Sequence, residues 1–188
     1  MAKQYPQISE RFAAFIAAQK IFFVATATAD SRVNLSPKGM DSLRLLSSTR
    51  VAWLSVTGSG NESAAHLLQN PRMTLMFCAF EGKPLILRLY GTARAVHRLD
   101  AEWDALYAHF PALPGSRQIF VLDVDLVQAS CGMSVPFFDY VGEREQLSDW
   151  ARSIGDEGIQ AYWEKENQTS LDGLPSAILE RSIAPGGD

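Results

Sequence analysis

The chain has 188 residues, of which 47% are hydrophobic, enough for one globular domain with its own core or for one domain with a small appendage. Its 17 Lys and Arg against 21 Asp and Glu leave a net charge of -4, which gives no basic surface for nucleic acid. Cys78 and Cys131 stand alone, with no CxxC spacing for a metal or redox pair, and point to a reducing, cytoplasmic setting.

In chain order, "FAAFIAAQKIFFVATATA" comes first, apolar enough to suggest a membrane segment. Gln19 and Lys20 divide it into pieces too short to span a bilayer, so no membrane association is expected. It reads instead as a helix capped by Ser9, with Phe12, Phe15 and Ile16 on one face, followed by the buried strand "IFFVATAT". After the turn "ATADSR" come the strands "RVNLS", "LRLL" and "RVAWLSVT". A short helix over residues 61–69 is expected next, with Asn61 as its cap and Asn70-Pro71 as its stop. Residues 73–80 and 85–96 form a hairpin around "EGKP", and residues 100–110 a helix capped by Asp100. "RQIFVLDVDLVQAS" is the last long strand. A helical pattern begins near Glu143, and "DGLPSAILERSIAPGGD" reads as a loose tail.

Many strands with few helices between them argue for a mainly β fold: a closed or nearly closed antiparallel barrel with flanking helices and Greek-key-like order. Residues 1–142 are expected to form the barrel domain and residues 143–188 a helical extension and tail of that domain.

Two segments carry candidate chemistry. In "RVNLSPKG", Asn34, Ser36 and Lys38 alternate with Val33 and Leu35, which sets a row of donors ending in a cation on one face of a strand. The plainer reading of that face is ordinary solvation. In "VTGSGNESAAHLLQN", Gly58 and Gly60 free the backbone, Ser59 and Ser63 offer hydroxyls, and the helix beginning at Asn61 turns its positive end toward the loop. No P-loop lysine is present, so a phosphate held there needs Lys38 as its cation. By itself the loop reads more simply as a glycine turn before a capped helix. The histidines His66, His97 and His109 share no metal spacing and read as surface or packing residues, and no metal site is expected. Trp53 and Trp103 read as core, Asp123 and Asp125 as a solvent-facing pair.

A strand ending in Lys38-Gly39, a strand ending in Thr57, a short loop, a helix and Asn70-Pro71 together resemble the FMN-binding split barrel of the pyridoxamine 5'-phosphate oxidase family. The resemblance covers about residues 12–130. It implies a split β-barrel, FMN as cofactor, and contacts to FMN from Asn34, Ser36, Lys38, Val56, Thr57, Glu62 and Ser63, with the loop residues Gly58, Ser59 and Asn61 beside them. The chain departs from the family where an Arg-Lys pair on the helix is replaced by Glu62-Ser63. The strand arginine falls on Val33, next to Arg32, and a glutamine falls on Ile86, while Arg88 matches an arginine. Members of this group are usually homodimers whose flavins touch both subunits, which implies an approach by Ser130, Cys131 and Gly132 from the partner; read alone, Cys131 is a small buried hydrophobe. The function implied is an FMN-dependent oxidoreductase acting on an unknown small molecule, its donor left open among NADH, NADPH and another. The alternatives are a flavin-storage or sensing protein and a split-barrel reductase that uses a deazaflavin.

Overall fold

The computed structural model describes residues 2–184. Eight strands and five helices follow one another as β1 (Lys3–Tyr5), α1 (Glu10–Ala18), β2 (Phe22–Thr26), β3 (Asn34–Lys38), β4 (Leu43–Ser47), β5 (Arg50–Val56), α2 (Glu62–Leu67), β6 (Arg72–Cys78), β7 (Ile86–Val96), α3 (Trp103–Tyr107), β8 (Ser116–Ser130), α4 (Gln146–Glu166) and α5 (Ile178–Ser182). The fold is mainly antiparallel β with flanking helices, the split-barrel architecture. Its single sheet has the order β3-β2-β6-β7-β8-β5-β4, with β1 on β8. The expectation of closure is corrected: the sheet is open, because β3 and β4 end the path and do not pair with each other. Pro37 removes a donor from β3, which suits it to an edge.

β8 joins the two halves. One edge carries β7 from Val96↔Ile119 to Ile86↔Ser130; the other carries β5 over Ser116–Asp123 and β1 over Val127–Ala129. The β7–β8 register slips between Tyr90 and Gly91, and a Cβ on Gly91 would lie 1.9 Å from the Asp123 carbonyl oxygen. Only glycine permits that approach.

The alternation seen in the sequence sorts the strands into layers. Phe22 and Val24 point inward with Trp53, Leu75, Phe77, Leu87, Leu89 and Phe120, and the Trp53 and Phe120 rings stack 4.3 Å apart. β5 is buried on both faces: Val51 and Trp53 enter the barrel, while Ala52 and Leu54 lie with Ile119 and Val121 under Trp103 of α3 and Phe110. α1 is capped by Ser9, whose Oγ accepts from Phe12 N at 3.4 Å, and buries Phe12 and Ile16 on the barrel.

Several elements differ from expectation. β1 carries no readable pattern, being three residues long and mostly exposed. α3 is shorter than the segment 100–110, because the Asp100 carboxylate accepts from His97 N at 2.8 Å and pairs with Arg181 instead of starting a helix. The tail as far as α5 is packed, not loose, with Ile178 buried against Ile159 and Trp163 of α4, while its last four residues, 185–188, lie outside the described residues. α4 itself kinks at Gly155, whose φ of 65° and ψ of -175° lie outside helical space. No helix among the described residues is long and apolar enough to cross a membrane.

Candidate functional site

β3 turns Asn34, Ser36 and Lys38 to one side and leaves Leu35 exposed on the other at 64%, with Val33, just before the strand, exposed at 75%. The inward side is tied to the first turn of α2. Ser36 donates to Asn34 Oδ1 at 2.7 Å, and Asn34 Nδ2 donates to Ser63 Oγ and to Thr26 Oγ1, each at 3.1 Å. The Lys38 amine lies 5.3 Å above the Trp53 ring and donates no hydrogen bond among the described residues. Burial lowers its pKa to about 8; the nearby Arg117 cation adds to the shift and Glu62 opposes it.

These residues, with Gly60 and Asn61, surround a cavity of about 30 Å³ whose inner wall is Trp53, Arg117, Gln118 and Phe120. Lys38 also borders a groove of about 1220 Å³ between α1, the ends of β2 and β3, and the segment 138–147. Phe15, Phe23, Phe80, Phe138 and Tyr140 line that groove. Its outer wall is held by Phe138 N donating to Phe80 O at 3.1 Å, by the two rings at 5.4 Å, and by the Lys20 amine 5.5 Å from the Tyr140 ring centre.

The glycine loop holds a cation, and that cation is Arg117 at the start of β8. The Arg117 guanidinium is buried and donates to Gly58 O at 3.1 Å, Gly60 O at 2.8 Å, Asn61 Oδ1 at 3.2 Å, Asn167 Oδ1 at 3.0 Å and Ser55 Oγ at 3.4 Å. Burial pulls its pKa to about 10, so it stays charged at neutral pH. The carbonyls of the loop therefore face a guanidinium. The extension closes over the same loop from outside. Asn167 Nδ2 donates to Gly58 O at 2.9 Å, and Asn61 Nδ2 donates to Glu166 O and Thr169 O, each at 3.1 Å. Asn61 thus stands at the cap position of α2 without capping it. Thr57 is buried, donating to Gly115 O at 2.8 Å and accepting from Trp163 Nε1 at 2.9 Å. Glu62 Oε1 accepts from Leu171 N at 3.2 Å, and Arg32 pairs with Asp172.

The structure thus gathers Asn34, Ser36, Lys38, Asn61, Glu62 and Ser63 around one cavity. Val56, Thr57, Gly58 and Ser59 do not line it: Val56 pairs with Ser116 in the sheet, Thr57 is bonded to Gly115 and Trp163, the Gly58 carbonyl faces Arg117, and the Ser59 carbonyl accepts from Asn61 at 3.1 Å. Arg88 is not brought there: it donates to Ser130 Oγ at 3.3 Å at the opposite end of β8, beside Cys131 and Gly132. Cys131 is exposed, contrary to its reading as a buried hydrophobe, because the chain leaves the sheet at Ser130. Arg117, Gln118, Trp163 and Asn167 escaped the sequence reading. The available signal was Arg117 itself, a lone charge opening an otherwise apolar buried strand, which requires partners.

His66 packs on Thr26, its Nδ1 3.1 Å from Thr26 Oγ1. His97 is buried with Nδ1 3.2 Å from Ser182 Oγ; its pKa is lowered to about 4 by burial and by Arg181, against the opposing Asp100. No group of three or more His, Cys, Asp or Glu among the described residues could hold a metal ion. Asp123 is exposed and paired with Arg50 at 2.6 Å.

Comparison with known proteins agrees with this fold. The family profile described as pyridoxamine 5'-phosphate oxidase matches residues 8–131. The pyridoxamine 5'-phosphate oxidase family protein ustO of Aspergillus flavus is 34% identical over 194 residues, covering 91% of this chain and 76% of that protein. Among solved structures, a histidine-to-alanine form of HupZ from Group A Streptococcus superposes with a TM-score of 0.54 at 18% identity, over 65% of this chain and 99% of that one. A Lactobacillus delbrueckii protein described as a candidate pyridoxamine 5'-phosphate oxidase gives 0.52 at 17% identity, over 65% and 94%. At such identity the structures speak for the fold, while the profile and the sequence relative speak for descent: the chain belongs to the pyridoxamine 5'-phosphate oxidase family.

Proposed function

We propose that this chain is a cytoplasmic FMN-binding protein, an oxidoreductase acting on a small molecule, that works as a homodimer. One observation carries the reading. Lys38, an ammonium with no hydrogen-bond partner among the described residues, stands on the wall shared by the polar cavity and the large aromatic groove.

The residues present fit the group. Lys38 supplies a cation, and Asn34, Ser36 and Ser63 supply polar atoms on the adjoining strand and helix. The groove beyond Lys38 exceeds the volume of about 300–1,000 Å³ usual for ligand pockets, and its Phe and Tyr walls suit a flavin ring. Apart from the Ser63 hydroxyl, the start of α2 takes no part, because residues 166–172 cover it and Glu62 places a carboxylate there. Bound FMN supplies reversible hydride acceptance at its ring. The chain itself holds and orients the cofactor, excludes water behind Phe138 and Tyr140, and with Lys38 stabilises negative charge near the ring or the phosphate.

The test is the visible spectrum of the purified protein and an FMN titration. Lys38→Ala is expected to cost about 1.5–3 kcal/mol of FMN affinity, the range for a hydrogen bond to a charged group. Equal affinity in the variant would refute the assignment. Anaerobic bleaching by NADH or NADPH supports oxidoreduction; a yellow protein that neither donor bleaches favours storage.

A further inference from the structure

A line of hydrogen bonds runs from the interior of α2 to the wall of the polar cavity. His66 Nδ1 lies 3.1 Å from Thr26 Oγ1, Thr26 Oγ1 lies 3.1 Å from Asn34 Nδ2, and Asn34 Oδ1 lies 2.7 Å from Ser36 Oγ. His66 and Thr26 are buried, at 0% and 3% exposure, and neither borders the cavity. Asn34, Ser36 and Ser63 do.

The lengths fix the direction of the line. A separation of 2.7 Å is that of a hydroxyl donating to a carbonyl oxygen, and 3.1 Å suits an amide N–H donating to a hydroxyl oxygen. Asn34 therefore turns its oxygen to Ser36 and its amine to Thr26 and Ser63, which uses both amine hydrogens. Turned over, the amide would leave one of them without a partner among the described residues. Thr26 Oγ1 thus accepts from Asn34, and its own hydrogen goes to His66 Nδ1. A proton on Nδ1 would leave that hydroxyl hydrogen buried and unmatched, which native interiors avoid. Nε2 has no partner among the described residues with either tautomer, so it does not oppose this choice.

The consequence appears at the wall. A serine hydroxyl by itself rotates to serve as donor or acceptor. Here Ser36 spends its hydrogen on Asn34 and faces the cavity with lone pairs alone, while Ser63, which accepts from Asn34, keeps its hydrogen to donate. With the proton on His66 Nδ1 the whole line would reverse, and Ser36 would be the donor.

We infer that His66 is a positioning residue: through Thr26 and Asn34 its bare Nδ1 holds Ser36 as an acceptor and Ser63 as a donor, so that the bound molecule presents an N–H beside a carbonyl oxygen. A flavin ring has such an edge in its imide, and a fully ionised phosphate does not. The identity of the ligand rests on the function proposed above; the direction of the hydrogen bonds does not.

Nitrogen NMR of the histidine rings, in protein dialysed free of flavin, tests the direction, with His66→Asn identifying the signals that disappear. His66 Nδ1 is expected to show the shift of a bare, pyridine-type nitrogen and Nε2 that of a protonated one; the opposite pattern would overturn the inference. Flavin fluorescence then gives FMN affinity in a double-mutant cycle. Ser36→Ala should weaken binding about threefold to tenfold, and His66→Leu, which removes the ring acceptor and frees the line to reverse, by a similar factor. Since His66 acts through Ser36, the double variant should lose no more than the weaker single one. His66→Asn, whose side-chain oxygen can accept from Thr26, should restore most of the affinity. Losses that multiply in the double variant, or equal losses in His66→Leu and His66→Asn, would show that His66 only packs. A parent protein that binds no FMN would refute the proposed function, and the ring nitrogens alone would then decide this inference.

Discussion

Burial holds the Lys38 amine near 8, so at neutral pH the folded protein keeps a charge that the unfolded chain carries at lower cost. The linkage has a definite sign. Below pH about 8 the amine is protonated in both states and the penalty is constant. Between about 8 and its ordinary value of 10.5 only the unfolded chain keeps the proton, so this group's contribution to stability improves as pH rises. Lys38→Met should therefore stabilise the fold by about 1–3 kcal/mol while weakening FMN, as is usual where a site residue trades stability for function. Urea unfolding measures the first effect and flavin fluorescence the second; a less stable Lys38→Met protein would mean that the amine's packing outweighs its desolvation. His97 titrates in a lower window. Its folded pKa of about 4 lies below the ordinary 6.5, so the unfolded chain binds the extra proton between those values and stability falls as pH drops through that range. The loss from this residue is about 3 kcal/mol, at 1.36 kcal/mol per pKa unit, and in His97→Gln the pH profile of unfolding should flatten there. Glu62→Gln is expected to leave FMN affinity within a factor of a few, or to improve it, because the carboxylate is occupied with Leu171 N. A large loss in flavin fluorescence titrations would place that carboxylate on the cofactor.

Among elements, the segment from Trp163 to Asp172 does for the glycine loop what a ligand would otherwise do. It meets Thr57, Gly58, Asn61, Glu62 and, through Asn167, Arg117. Asn167→Ala should cost about 2–4 kcal/mol in thermal or denaturant unfolding, because it strips a buried cation of one acceptor and Gly58 O of one donor. A cost under about 0.5 kcal/mol would show that water replaces the amide. The two site segments were legible for different reasons. β3 announced its donor row because a period of two needs only neighbouring residues, and Lys38-Gly39, Thr57 and Asn70-Pro71 kept the family's spacing. Arg117 was hidden because its partners come from Gly58 and Asn167, 59 and 50 residues away, and no local pattern reports such distances. α5 was hidden for want of length: five residues are too few to display a helical period, and the surrounding Gly and Pro read as loop. The open edge between β3 and β4 was also invisible, since strand count does not say whether the last pair closes.

For the whole molecule, the edge strand β3 leaves Leu35 exposed, Val33 is exposed just before it, and the segment after β8 exposes Met133, Phe137 and Val141. Apolar residues so placed call for a partner surface, and a homodimer covering them agrees with the proposed function. Sedimentation should give a dimer at micromolar concentration, and Leu35→Asp a monomer that loses flavin on dilution. A monomeric parent fully loaded with FMN would defeat this.

β8 is shared by strands from both ends of the chain: β5 and β7 flank its first half, β1 and β7 its second. During synthesis, then, the β4–β5 hairpin and the β2–β3–β6–β7 group emerge as separate units with no common strand. Neither can complete its edge until residue 130 has left the ribosome, and Lys3–Tyr5 must wait for Val127–Ala129. Such non-local closure makes for slow folding, on the millisecond-to-second scale typical of β topologies, with bare edges exposed meanwhile. The extension arrives last and latches onto a loop made about 100 residues earlier, Trp163 reaching Thr57 across 106 positions. Assembly of this barrel is therefore a late event, decided by one strand and sealed by the segment that follows it.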